Sequence, residues 1–93
     1  MVAWTDKAKS SLRNIFNYIK EDSPFYAKEV KKKFIFESKK LSDFLKLGRI
    51  VPEVEDDNIR ELFIYSYRMI YQIVDNNVFI LTIIHSIQEF SNL

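Results

Sequence analysis

The sequence contains no cysteine, one glycine, two prolines and a single histidine. Without cysteine there is no disulfide framework, no thiolate nucleophile and no thiolate-held zinc or iron–sulfur centre, a composition that fits a reducing compartment. One histidine weighs against an all-protein zinc site, so no metal and no cofactor is expected. Scarce glycine and proline beside 15% aromatic residues exclude collagen-like, linker-like and disordered chains, which lack the apolar surface to offset ordering entropy. No apolar run approaches the roughly 20 residues of a membrane span, and the opening MVAWTDKAK turns polar too early for the apolar core of a signal peptide. The expectation is a soluble, cytoplasmic protein with no membrane partner.

What is present suits one domain over residues 1–93: 47% apolar residues can supply a modest core, and 29% charged residues a solvated surface. The net charge of +1 conceals an asymmetry. Residues 1–49 carry 12 Lys/Arg and 6 Asp/Glu, whereas residues 50–93 carry 2 and 7. The basic half can attract phosphate or an acidic partner, and the acidic half can repel one.

Val2, Ala3 and Trp4 suit a short strand, after which Thr5 or Asp6 can cap a helix over 6–21 whose apolar face is Ala8, Leu12, Ile15, Phe16 and Ile19. Asp22-Ser23-Pro24 breaks it and restarts another, with Ser23 as N-cap and Pro24 at the first helical position, where its missing N–H costs nothing. Ala27, Val30, Phe34, Leu41 and Leu45 keep helical spacing, and Gly48 can end that helix in a left-handed conformation. So short a connection makes the two helices an antiparallel hairpin. Lys31-Lys32-Lys33 and Lys39-Lys40 read as its solvated face.

Beyond Gly48 the period changes. GRIVPE looks extended, EDDN is an acidic loop, and IRELFI, YRMIYQIVD and VFILTIIH are rich in β-formers. Asn76-Asn77 suits a type I′ turn because Asn tolerates positive φ. That turn predicts Gln72 opposite Leu81, Tyr71 opposite Thr82, Met69 opposite Ile84 and Arg68 opposite His85. A second turn at Tyr65-Ser66 pairs Phe63 with Arg68 and Leu62 with Met69. Leu62, Met69 and Ile84 then meet the helices, while Glu61, Phe63, Arg68 and His85 share an open face available for binding. The tail from Ser86, apolar at Ile87, Phe90 and Leu93, is a final helical turn or a frayed end.

Taken in order, WT-x-x-A at 4–8, YI-x-x-DSP at 18–24, GR-x-VPE at 48–53, IREL at 59–62, YR-x-x-Y at 67–71 and a closing strand ending in His85 span nearly the whole chain. In these features the sequence resembles the RelE/ParE toxins of type II toxin–antitoxin systems. The resemblance implies an α+β fold: a short N-terminal strand and an antiparallel helical hairpin packed on one face of a small antiparallel sheet, in the order β-α-α-β-β-β. It also implies growth inhibition relieved by a cognate antitoxin that wraps the domain with a helix or strand, in a heterotetramer or larger complex.

Fold alone does not select the activity. One branch of the family cleaves mRNA on the ribosome, and there the matching residues would be Glu53 as base, Arg68 as phosphate stabiliser and His85 as acid. Attack by a 2′-OH needs such a set, because a proton must leave, phosphorane charge must be met and the departing oxygen must be protonated. Arg49 and Arg60 are then candidates for phosphate contacts, and Phe63 and Tyr67 for stacking on an unpaired base. The other branch, typified by ParE, poisons DNA gyrase and needs no such trio; an inactive relative that only binds antitoxin is a third alternative. The residues also have plainer readings. His85 can be a strand-end residue, Glu53 part of an acidic loop with Val54-Glu55-Asp56-Asp57, and Arg68 the partner of Glu61 or Glu53 in a salt bridge. Net charge of +1 and the non-basic ending after His85 weigh against a ribosome-acting protein.

Overall fold

Two side-chain caps set the helical half of the molecule. In the computed structural model, which describes residues 1–90, Thr5 is extended and its Oγ1 accepts from the Ala8 N–H at 3.1 Å. Ser23 does the same for the Tyr26 N–H at 3.1 Å, with Pro24 at the first helical position. The elements are β1 (Val2–Trp4), α1 (Asp6–Lys20), α2 (Pro24–Lys40), β2 (Arg49–Ile50), β3 (Ile59–Ile64), β4 (Tyr67–Val74) and β5 (Asn77–His85). Among the described residues no helix is long and apolar enough to cross a membrane, and Leu93 lies outside them.

The second helix stops at Lys40, short of Leu45, and the chain continues in turns to Leu47. Leu41 is nevertheless fully buried, so its apolar position serves the core without being helical. Gly48 does not take the expected left-handed conformation. It is needed because two pieces of backbone meet: a Cβ there would lie 2.4 Å from the Glu61 carbonyl oxygen and 2.9 Å from Cε1 of Tyr71. The Tyr71 hydroxyl accepts from the Gly48 N–H at 2.9 Å and donates to the Leu45 carbonyl at 2.8 Å, pinning this connection to the sheet.

The five strands lie in the order β1-β5-β4-β3-β2, with β1 parallel to β5 and every other neighbouring pair antiparallel. Leu12, Val30, Phe34 and Leu41 pack on Met69, Tyr71, Val78, Ile80 and Ile83 to form the main core between hairpin and sheet. Side chains alternate across a strand, so Ile70, between Met69 and Tyr71, faces the other way. There it joins Val51, Ile59 and Phe90 in a second apolar cluster, with Val54, Leu81 and Ile84 packed against it. The face expected to be open is thus partly covered by residues 51–54 and the segment leading to Phe90.

The β3–β4 register is as expected, with Phe63 opposite Arg68 and Leu62 opposite Met69. The β4–β5 register is not. The turn is Asp75-Asn76, both at positive φ (50° and 66°), and Val74 pairs with Asn77. Aspartate tolerates the left-handed region about as well as asparagine, so the three-residue run offered two competing turns. A bulge follows: Gln72 faces Phe79 and Tyr71 faces Ile80, but Ile70 faces Thr82, leaving Leu81 as the extra residue. Beyond it Met69 is opposite Ile83, Arg68 opposite Ile84 and Tyr67 opposite His85. The expected pairs Gln72–Leu81, Tyr71–Thr82, Met69–Ile84 and Arg68–His85 are therefore corrected. The net slip of one residue past the bulge exchanges faces, so Ile83 completes the row with Leu62 and Met69, and His85 leaves the face of Arg68.

Candidate functional site

Arg68 near the start of β4 and Glu61 on β3 share the second face of the sheet, and Glu53 reaches them from the turns after β2. Arg68 Nε donates to Glu61 Oε1 at 2.6 Å. Its Nη1 and Nη2 donate to Glu53 Oε2 and Oε1 at 2.9 and 2.8 Å, a bidentate pair. Nη1 also donates to the Gln88 carbonyl at 3.0 Å. From the edge strand, Arg49 Nε donates to Glu61 Oε2 at 2.6 Å, and its guanidinium lies 4.9 Å from the centroid of the Phe63 ring. The Phe90 N–H closes the arrangement on Glu53 Oε2 at 3.0 Å. The side chains of Glu61 and Arg68 are 0% and 6% exposed, which two carboxylates and two guanidiniums tolerate only because each charge is matched.

The hydrogen bonds from Arg68, and secondly from the Phe90 N–H, hold the Glu53 carboxyl down from its ordinary 4.5 to about 2. Glu53 in return holds the Arg68 guanidinium above its ordinary value, chiefly through the same hydrogen bonds. A carboxyl that titrates lower folded than unfolded stabilises the protein fully above its unfolded pKa, and that contribution is lost as pH falls toward the folded value. Melting temperature should therefore drop on acidification from 4.5 to about 2. In Glu53→Gln, followed by circular dichroism across that range, the drop should be shallower; equal slopes would show that the ion pair contributes nothing.

The remaining candidates lie elsewhere. Arg60 donates from Nε to the Asp57 carbonyl at 2.9 Å and from Nη1 to the Gly48 carbonyl at 3.0 Å, bracing the connection before β3. Tyr67 is on the helix side, its ring 5.8 Å from Phe34 and 5.8 Å from His85, both edge-on; burial pushes its phenol up. His85 is exposed, and its Nδ1 accepts a long hydrogen bond of 3.4 Å from the Ile87 N–H. The structure thus brings Glu53, Arg68, Arg49 and Phe63 together around Glu61, and separates them from Tyr67 and His85. Sequence reasoning missed two features. One is a cavity of about 720 Å³ among β1, α1 and α2, floored by Trp4, Leu12, Phe16 and Ile35 and lined also by Lys9, Arg13, Lys31 and Lys39. The cations on two successive helices were legible, but not that they surround a common apolar hollow. The other is a group of exposed aromatics where the hairpin turns over; Tyr18, off the apolar stripe of α1, was the available signal.

Residues 2–90 match the family model described as the ParE toxin of the type II toxin–antitoxin system, parDE. The chain belongs to the ParE toxin family. It is accordingly a toxin of the type II toxin–antitoxin class. Among solved structures, this ParE-family toxin resembles a chain of the chromosomal ParDE system from P. aeruginosa at 22% identity and a TM-score of 0.74, covering 90% of this chain and 92% of that one. It also resembles a chain of the toxin–antitoxin complex RelBE2 from Mycobacterium tuberculosis at 22% identity and a TM-score of 0.60, covering 91% and 88%. At such identities the likeness bears on the fold alone, which is the expected one. A comparison with curated protein sequences gives no match.

Proposed function

We propose that this ParE-family toxin arrests growth by gripping a protein, DNA gyrase being the target that resemblance to the ParE branch implies, and that it does not cut mRNA. The observation that carries this reading is the closure of the Arg68 guanidinium on Glu61, Glu53 and the Gln88 carbonyl. To stabilise a phosphorane, a cation must present free N–H groups where charge develops. Here four of the five N–H groups are already taken, leaving one on Nη2, and withdrawing the others would leave the buried Glu61 carboxylate with fewer partners. A general base works best with a pKa near the operating pH, whereas Glu53 is held at about 2. His85, paired with Tyr67 on the side away from Arg68, is poorly sited to protonate a leaving group at that centre.

The cavity between β1 and the hairpin is the seat that best fits an antitoxin. Its cations, with the Lys31 ammonium 5.6 Å over the Phe16 ring, surround an apolar floor and suit an amphipathic acidic segment.

The test adds antitoxin-free protein, wild type and His85→Gln, to a bacterial translation extract and to a gyrase supercoiling assay. Reporter mRNA should keep its 5′ ends by primer extension, supercoiling should be inhibited, and His85→Gln should match wild type rather than show the roughly 10²–10⁴-fold loss expected of a general acid. New ribosome-dependent 5′ ends that vanish in His85→Gln would overturn the proposal.

A further inference from the structure

The segment that follows β5 lies over the second face of the sheet and is held there by few of its own groups. Ile87, Gln88 and Glu89 are exposed, Ile87 to 89%, and only Phe90 is buried, in the cluster of Val51, Ile59 and Ile70. Two main-chain groups make the polar contacts: the Gln88 carbonyl accepts from Arg68 Nη1 at 3.0 Å, and the Phe90 N–H donates to Glu53 Oε2 at 3.0 Å. A carbonyl and the N–H two residues later are also what one edge of an extended strand offers its neighbour. The Arg68–Glu53 pair thus stands in for the N–H and C=O of an adjoining strand, with a pocket for one large apolar side chain beside it. We propose that this seat is a peptide-binding groove, closed by the chain's own residues 86–90, and that the toxin's protein target supplies in their place an extended segment with a large apolar side chain. The inference rests on the protein-gripping reading above and names the seat that performs it and the segment it takes.

The cradle does not depend on the segment that fills it. Arg68 is fixed by Glu61 and Glu53, and Glu61 by Arg49, all within β2 to β4 and the turns after β2. Withdrawing residues 86–90 frees one N–H on Arg68 Nη1 and one acceptor site on Glu53, and uncovers the hollow that Phe90 fills, with none of these ion pairs broken. Phe90 belongs to the second apolar cluster and not to the main core, so the packing of hairpin on sheet survives the exchange. A segment with a single buried side chain is drawn from the low-stability end of a fold, where local opening is cheapest.

Charge selects the occupant. Arg49 and Arg68 against Glu53 and Glu61 leave the cradle neutral, and Glu55, Asp56 and Asp57 follow on the adjoining turns. A phosphate backbone, whose binding depends on neutralising its charge, gains nothing there. An uncharged peptide unit does, because its carbonyl meets a cation and its N–H an anion, in hydrogen bonds strengthened by charge. In recognition of this kind the main chain supplies affinity and the side-chain pocket supplies selection. None of the cradle residues lines the cavity assigned to the antitoxin, so the two seats can be disabled separately.

The experiment uses the full chain, as wild type and Phe90→Ala, with the blocked peptide acetyl-SIQEF-amide, the sequence of residues 86–90, as probe. In wild type the Phe90 N–H should be at least about 100-fold less protected from hydrogen exchange than the paired amides of β4 and β5, because the segment opens while the sheet holds. Equal protection would make the segment part of the core and overturn the proposal without need of a variant. Titrated by NMR at the Arg68 Nε–H, folded Phe90→Ala should bind the probe about 10-fold or more tighter than wild type, whose seat is filled. Probes with the phenylalanine N-methylated, or replaced by alanine, should not bind, since one lacks the donor to Glu53 and the other the ring. No binding to folded Phe90→Ala, or equal binding of all three probes, would overturn the proposal. Growth arrest on graded induction, scaled to folded toxin, should need less Phe90→Ala than wild type; a need for more would show that residues 86–90 are themselves the grip, and would sink it. If wild type proves to cleave mRNA, the protein-gripping reading fails while the probe titration still judges the seat.

Discussion

Replacing Arg68 with alanine should cost about 3–5 kcal/mol of stability, the toll of removing one partner from a buried ion pair. The guanidinium satisfies Glu61, whose side chain is fully buried, both oxygens of Glu53, and the Gln88 carbonyl. Without it Arg49 alone remains to neutralise Glu61, through Nε on Oε2, and Oε1 loses its donor. For a domain of this size each kcal/mol lowers the melting temperature by roughly 4–8 °C, so a fall on the order of 20 °C is expected by circular dichroism at neutral pH. A paired replacement separates lost charge compensation from lost packing. Arg68→Met with Glu61→Leu removes the two most buried charges together, leaving Glu53 and Arg49 with access to water, and should recover much of the loss. A fall of only a few degrees in Arg68→Ala would mean that solvent reaches the cluster.

Gly48→Ala is the second large effect. A methyl group there would stand 2.4 Å from the Glu61 carbonyl oxygen, 2.9 Å from the Glu61 carbonyl carbon and 2.9 Å from the ring of the fully buried Tyr71. Overpacking costs typically 1–3 kcal/mol, and the upper end applies because the obstacles are strand backbone and a buried ring rather than a flexible side-chain tip. The expected value is about 3 kcal/mol, read as a lowered urea midpoint. Glu61 is also the β3 partner of Arg49, so moving its backbone aside disturbs the Arg49–Glu61 ion pair as well. The Gly48→Ala and Arg68→Ala losses should therefore add up to less than their sum in the double variant, since both act through Glu61. Strict additivity would show that the two sites are independent.

Legibility followed the range of the forces involved. Thr5 and Ser23 declare their helices because a cap and the N–H it satisfies are three residues apart. The apolar spacing of α1, the Tyr65-Ser66 turn and the β3–β4 pairing are equally local. The pairing of Arg68 with Glu61 or Glu53 was visible as one alternative, since Arg68 and Glu61 would share a face; that both carboxylates hold it at once was not. The closure of the guanidinium by the Gln88 carbonyl was not, because a contact across twenty residues of chain depends on where the tail lies.

The sequence by itself determined the family, the order of helices and strands, and two helices capped and packed as a hairpin, because caps, turns and apolar periodicity act within a few residues. Only the tertiary structure decided what the chemistry-bearing residues face. Asp75-Asn76-Asn77 could turn at either pair, and the bulge at Leu81 compounds that choice. With a side-chain period of two, a net shift of one residue takes His85 from the face of Arg68 to that of Tyr67. Which register wins depends on packing Ile80 and Ile83 under the helices and Ile84 and Leu81 against the second cluster, a comparison of distant contacts that no local pattern encodes.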